Sequence, residues 1–146
     1  MVDPASVFDR MTRCLLAGDG SAYADMFAGD AVVEWPFNPD GWPKRLEGRD
    51  AIRTHVEGVF ARFQAAGRKL VAVRDLVVHS IGTHEVAVEF SIEAASPDGA
   101  ARLPYVQFLR VTDDGQIAAL RDYFRPAPNS APPAAHTSKP TATPER

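Results

Sequence analysis

Cysteine is almost missing from this chain. Cys14 stands alone among 146 residues, so no intrachain disulfide can form and a cytoplasmic setting is the default expectation. It falls among Phe8, Met11 and Leu15 at helical spacing, which reads as a structural thiol on a packed helix face rather than a reactive one. Metal ligands are equally scarce. His55, His79, His84 and His136 are scattered, no two stand at ligand spacing, and no cysteine cluster accompanies them, so neither a metal nor another cofactor is expected. Positive charge is in deficit: 16 Lys and Arg against 19 Asp and Glu leave a formal charge of −3, without the basic footprint of a nucleic-acid binder. No apolar run is long enough to cross a bilayer, and the N-terminus carries no signal-peptide pattern. A glycine-rich phosphate loop and a nucleophile elbow are both absent. Any chemistry must therefore come from ordinary side chains in a pocket.

What is present is an ordinary globular composition, 45% hydrophobic and 24% charged, sufficient for one domain with a sizeable core. Asp3-Pro4 reads as a helix start. Val7, Phe8, Met11, Cys14 and Leu15 then recur at helical spacing until Gly18. A short helix follows over "SAYADMFAG", with Tyr23, Met26 and Phe27 inward. "DAVVEWPF" reads as a strand that Pro36 confines to an edge or an end, and "NPDGWPKRLEG" as a loop. A third helix is expected from about Asp50, as its cap, to Ala66, with an apolar stripe of Ile52, His55, Val56, Val59, Phe60 and Phe63.

From there the period changes to two. "KLVAVRDLVVHSI", "HEVAVEFSIEAA", "RLPYVQFLRVT" and "QIAALRDYF" read as four strands joined by glycine-containing turns, hence antiparallel hairpins. Helices followed by a meander of strands predict an α+β domain with one curved sheet. The domain is expected to span 1–126. The remainder, 127–146, has no Val, Ile, Leu or aromatic residue, so it cannot bury enough apolar surface to offset its ordering entropy and reads as a disordered tail.

The motifs "LLAGD", "MFAGDAVVEWPF", "LEGRDAIRTHV" and "DDGQIAALRDYF", in this order of elements, resemble the SnoaL-like branch of the nuclear transport factor 2-like superfamily. That branch includes polyketide cyclases, with ketosteroid isomerase and limonene epoxide hydrolase as relatives. The resemblance implies a cone-shaped, cystatin-like fold: a curved mixed or antiparallel sheet wrapped around three N-terminal helices, with an internal apolar pocket. It also implies a small apolar ligand and a homodimer formed through the outer sheet face.

The fold does not dictate the reaction. Ketosteroid isomerase uses a carboxylate base with a tyrosine and a protonated aspartic acid as oxyanion donors. Those positions fall here at Trp35, Met11 and Gln107, so that constellation is not kept. The epoxide hydrolase resemblance is strongest at "RDYF", where Asp122 matches one catalytic aspartate. The arginine and second aspartate of that family fall at Glu89 and Ser91, and its water-holding tyrosine and asparagine at Glu34 and Pro36. Polyketide cyclases close rings with a cavity aspartate or histidine as acid/base, and Asp122 again stands in a fitting position.

Strand alternation places Leu120, Asp122 and Phe124 on one face, and Tyr105, Gln107 and Leu109 on one face of the strand before it. A carboxylate on such a wall loses hydration, so its pKa is expected to rise toward the range of a general base. Asp122, Gln107 and Glu89 are the candidate catalytic residues. Glu89 carries two conflicting readings: alternation through Val86, Val88, Phe90 and Ile92 leaves it in water, while the family resemblance turns it inward, and a one-residue slip decides between them. Trp35, Phe37, Trp42, His55, Phe60, Tyr105, Leu120 and Phe124 are the candidate substrate-binding residues. His55 and the three aromatics of the loop region have competing readings as packing residues, and Asp122 has one as a rim ion pair with Arg121, Arg125 or Arg53. The expected function is cofactor-independent acid/base catalysis of the cyclase, isomerase or dehydratase type. The alternatives are a non-catalytic binding or assembly module, and an epoxide hydrolase with a changed triad.

Overall fold

The computed structural model describes residues 2–125; the tail expected at 127–146 lies outside the described residues. Helix α1 runs Pro4–Ala17. The Asp3 side chain accepts from the backbone N–H of Ala5, and Gly18 closes the helix at φ 70°, the left-handed conformation that glycine adopts without steric penalty. Val7, Phe8 and Met11 form its buried stripe. Helix α2 is the short Gly20–Asp25. Gly20 is where α2 crosses α3: a Cβ there would meet Phe60 Cδ2 at 3.3 Å and Glu57 Cα at 3.4 Å.

Strand β1 is Phe27–Glu34 and is followed by a three-residue strand β2, Arg45–Glu47. Helix α3 spans Arg49–Ala65, with Gly48 rather than Asp50 at its N-cap and no side-chain cap bond. Asp50 instead lies in the first turn, where its charge favours the helix dipole. Then come β3 Lys69–Ser80, β4 Glu85–Ser96, β5 Gly99–Val111 and β6 Ile117–Phe124. The six strands form one sheet in the order β2-β1-β6-β5-β4-β3. It is mixed, because β1 runs parallel to β6 while the other neighbours are antiparallel.

The sheet curves. Register shifts interrupt β3 at Leu70/Ala72 and Arg74/Val77, and Asp75 there takes φ 57°; such bulges bend a strand and increase its twist. The concave face carries the core, with Val86, Val88, Phe90 and Ile92 of β4 all at most 4% exposed beside Leu109, Val111, Ile117 and Leu120. Phe8 of α1 packs edge-on against Phe90 at 5.1 Å, and Ile52 seats α3 at 1% exposure. The architecture is the α+β cone expected above.

Candidate active site

Strands β5 and β6 place the key residues by register alone. Gln107 pairs with Asp122, Tyr105 with Phe124 and Leu109 with Leu120, and directly opposed residues of an antiparallel pair share a face. Since Leu109 and Leu120 are core residues, Gln107 and Asp122 stand on the concave side. Gln107 is 6% exposed. Its Oε1 and the Oδ1 of Asp122 are both buried without a hydrogen-bond partner.

Burial pushes the Asp122 carboxyl up from 3.8 to about 7, and the side chains of Gln107 and Trp35 pull it part of the way back. Both approach closely enough to favour the carboxylate, yet Oδ1 makes no hydrogen bond of normal geometry. The dominant effect is the lost hydration of the charged form. Arg121, Arg125 and Arg53 do not neutralise it: Arg53 pairs with Asp25 at 2.6 Å, and Arg121 lies over the Phe108 ring at 5.2 Å.

Two phenols complete the cluster. Tyr105 is stacked between Phe90 at 5.3 Å and Phe124 at 5.2 Å, and Tyr23 of α2 leans on Phe27 at 5.4 Å and Phe60 at 6.2 Å. Burial first, and the Asp122 charge second, raise both pKa values above the usual 10. Each therefore stays protonated and keeps an O–H to donate. On the far side of the cluster the Trp35 ring lies 5.0 Å from the His55 ring. Trp35 is held by its own loop: its backbone N–H donates to Lys44 O at 2.9 Å, and the buried Asn38 side chain donates to Pro43 O at 2.7 Å.

The expected residues divide accordingly. Asp122, Gln107, Tyr105, Trp35, His55, Leu120 and Phe124 are brought to this end of the cone, and Phe60 joins through Tyr23. Three are not. Glu89 pairs across the sheet with Val106, between the inward Val88 and Phe90, so alternation turns it to the outer face. There it meets His79 at 2.7 Å with its side chain 58% exposed. Ser91 shares that outward phase, and Glu34 is taken by Arg45 at 3.0 Å, so the epoxide-hydrolase positions are not assembled around Asp122. Phe37 is 68% exposed and packs on Tyr123 at 5.1 Å, because Pro36 turns the chain outward after β1. Trp42 sits half-buried in a turn, donating from its backbone to Pro39 O at 3.2 Å.

Tyr23 was legible as an inward residue but not as a site residue; only its approach to Asp122 through the tertiary fold reveals that. Arg68, whose charge lowers the Tyr105 pKa against burial, gave no signal in the sequence. An open groove of 660 Å³ lies beside the cluster, between α1, α2, α3 and the start of β3. Asp122 does not line it. The groove meets the cluster at Phe60, which contacts Tyr23, and at Arg68.

Residues 8–120 match the SnoaL-like domain. The chain belongs to that family. Among its relatives, an uncharacterized PhzA/B-like protein of Pseudomonas aeruginosa is 32% identical over 118 residues, covering 78% of each chain. A candidate isomerase from Bacillus subtilis has the same fold at a TM-score of 0.72 and 24% identity, over 84% of this chain and 86% of that one. A candidate polyketide cyclase from Xanthomonas campestris follows at 0.63 and 21%, over 84% and 90%. For this SnoaL-like domain the structural likenesses establish the cone; the chemistry has to come from its own residues. Among the described residues, no helix is long and apolar enough to cross a membrane.

Proposed function

We propose that this SnoaL-like domain is a cofactor-independent acid/base enzyme of the cyclase, isomerase or dehydratase type, acting on a small apolar or polyketide-like molecule in the cytoplasm. The observation that carries the reading is the half-buried Asp122, whose Oδ1 is sealed from solvent without a partner beside Gln107; burial raises its pKa to about 7, and two protonated phenols lie nearby. A base is most effective when its pKa lies near the working pH. The Asp122 carboxylate takes a proton from a carbon next to a carbonyl. The electron pair left behind moves onto that carbonyl oxygen, and the O–H of Tyr105 or Tyr23 donates to the resulting enolate. Gln107 and Trp35 hold the carboxyl in place. The protonated Asp122 then returns the proton to another carbon for isomerisation, or to a leaving oxygen for dehydration. In cyclisation the enolate carbon attacks a second carbonyl and the alkoxide formed takes the proton. His55, next to Trp35, is a second proton carrier in this scheme. The isomerase and cyclase assignments of the solved neighbours support the class.

Proton abstraction can be followed before the natural substrate is known. Exchange of the α-protons of 2-tetralone in D₂O, read by ¹H NMR, is expected to be accelerated by the wild type. Asp122→Asn should reduce that acceleration by about 10²–10⁴-fold. The wild-type rate should climb with pH and level off above about 7, as the carboxylate form is filled. Exchange unaffected by Asp122→Asn would refute the assignment. The competing reading is a binding module, favoured by the 660 Å³ groove that Asp122 does not line; it expects no exchange in either protein.

A further inference from the structure

Five arginines among the described residues sit on carboxylates: Arg13 on Asp9, Arg45 on Glu34 and Glu47, Arg53 on Asp25, Arg74 on Glu93 and Arg102 on Asp75. Arg68 does not. Half-buried where α3 gives way to β3, it makes no ion pair and no side-chain hydrogen bond among the described residues. Its guanidinium instead lies 4.7 Å from the centre of the Phe63 ring. A ring face holds the cation in place without using the N–H fork, whose edge stays available for a planar, bidentate acceptor.

Arg68 lines the 660 Å³ groove together with Lys69. Leu15, Leu16, Phe60 and Leu70 form an apolar strip in a lining that also carries Ser21 and Gln64. The one carboxylate of the lining, Glu57, lies toward α2, where its Cγ is 3.4 Å from the position of a Cβ on Gly20. The α3 C-terminus also faces this end, and its dipole helps to hold a cation there. The groove thus combines an apolar strip with an orientable positive fork at one end, and that end adjoins the Tyr105 side of the Asp122 cluster.

We propose that this groove binds the substrate through a carboxylate or equivalent acidic group on Arg68, with the apolar body lying along Leu15, Phe60 and Leu70, so that the substrate class is a hydrophobic organic acid. This deepens the acid/base reading and rests on it in one respect: the groove and Asp122 are taken as two ends of one site. Arg68 is a positioning residue here. It fixes where the reacting carbon lies relative to Asp122 and takes no proton itself.

The test uses 2-naphthoate and its neutral isostere 2-naphthamide as probes, titrated by calorimetry at pH 7 into the full chain. The wild type is expected to bind the acid about tenfold more tightly than the amide, the scale of one charge-assisted contact. Arg68→Met, which keeps the apolar stem against Phe63, should erase that preference, and Arg68→Lys should restore part of it. Thermal melts of each variant separate a lost contact from a lost fold. Amide-resonance shifts should centre on Phe63 and Leu70. Equal binding of the two probes, no binding by either, or a preference that survives in Arg68→Met would each overturn the proposal. Asp122→Asn should leave the naphthoate preference intact. A preference that stands while α-proton exchange proves independent of Asp122 would refute the acid/base reading and leave the anion site. The reverse pair of results would refute the anion site alone.

Discussion

A carboxyl group whose folded-state pKa stands at about 7 instead of 3.8 is protonated in the folded chain and ionised in the unfolded chain at any pH between those values. In that window the folded state binds more protons, so stability falls as pH rises, and the full penalty is reached above about 7. A shift of this size corresponds to roughly 4 kcal/mol, a large part of the stability of an ordinary domain. Asp122→Asn removes the charge and keeps the shape, and its amide has the unpartnered Gln107 Oε1 as an acceptor. The variant is expected to be more stable than wild type at pH 8, by up to a few kcal/mol, and that advantage should shrink to about 1 kcal/mol at pH 4.5. Urea unfolding at the two pH values measures this; a variant less stable than wild type at pH 8 would contradict it. Stabilisation with loss of activity is the usual signature of a strained functional group. At this scale the sequence was informative wherever alternation was clean. Leu120-Asp122-Phe124 and Tyr105-Gln107-Leu109 could be assigned to one wall because each polar residue sits between apolar ones of the same phase. Glu89 lost its inward reading to the same rule, since Val88 and Phe90 on either side of it are buried at 0% and 4%.

Elements with their own periodicity were readable, and those defined by their neighbours were not. The four long strands and both longer helices follow from period two and period 3.6. Strand β2 has only Arg45, Leu46 and Glu47, a charged edge with no pattern; it exists because Val32–Glu34 offer it a ladder. Strand β1 begins at Phe27, earlier than its apolar run suggests, because a register shift between Phe27 and Val32 carries it past Gly29 and Asp30. The parallel pairing of β1 with β6 joins segments far apart in the chain, and no hairpin signal announces it. Helix α3 starts on Gly48, whose φ of 91° and backbone N–H bond to Ala31 O at 2.8 Å fix the chain direction before any side-chain cap is needed. These long-range constraints also place Tyr23 near Asp122 and Arg68 near Tyr105, which is why local pattern missed both.

At the scale of the molecule, the cone gives each face of the sheet its own role. The concave face holds the core and the candidate site. Across the convex face, register aligns Val77 with Glu89, Glu89 with Val106 and Val106 with Tyr123. Tyr123 in turn packs against Phe108 at 6.0 Å and the exposed Phe37 at 5.1 Å. Exposed Val77, Val106 and Phe37 surround the Glu89–His79 pair on this face, and this is the surface we propose for a homodimer, since exposed apolar side chains grouped in this way mark an interaction site. Sedimentation equilibrium is expected to give twice the chain mass, and Val106→Asp to give the monomer with Asp122 still buried; a wild-type monomer at micromolar concentration would refute the interface. The central claim is more local than the assembly: one carboxyl, buried on the concave wall, titrates near neutrality. Carboxyl ¹³C NMR of the aspartate-labelled protein, with the resonance assigned by its loss in Asp122→Asn, measures it directly. The account predicts a midpoint near 7, and a midpoint at or below the ordinary 3.8 would contradict it.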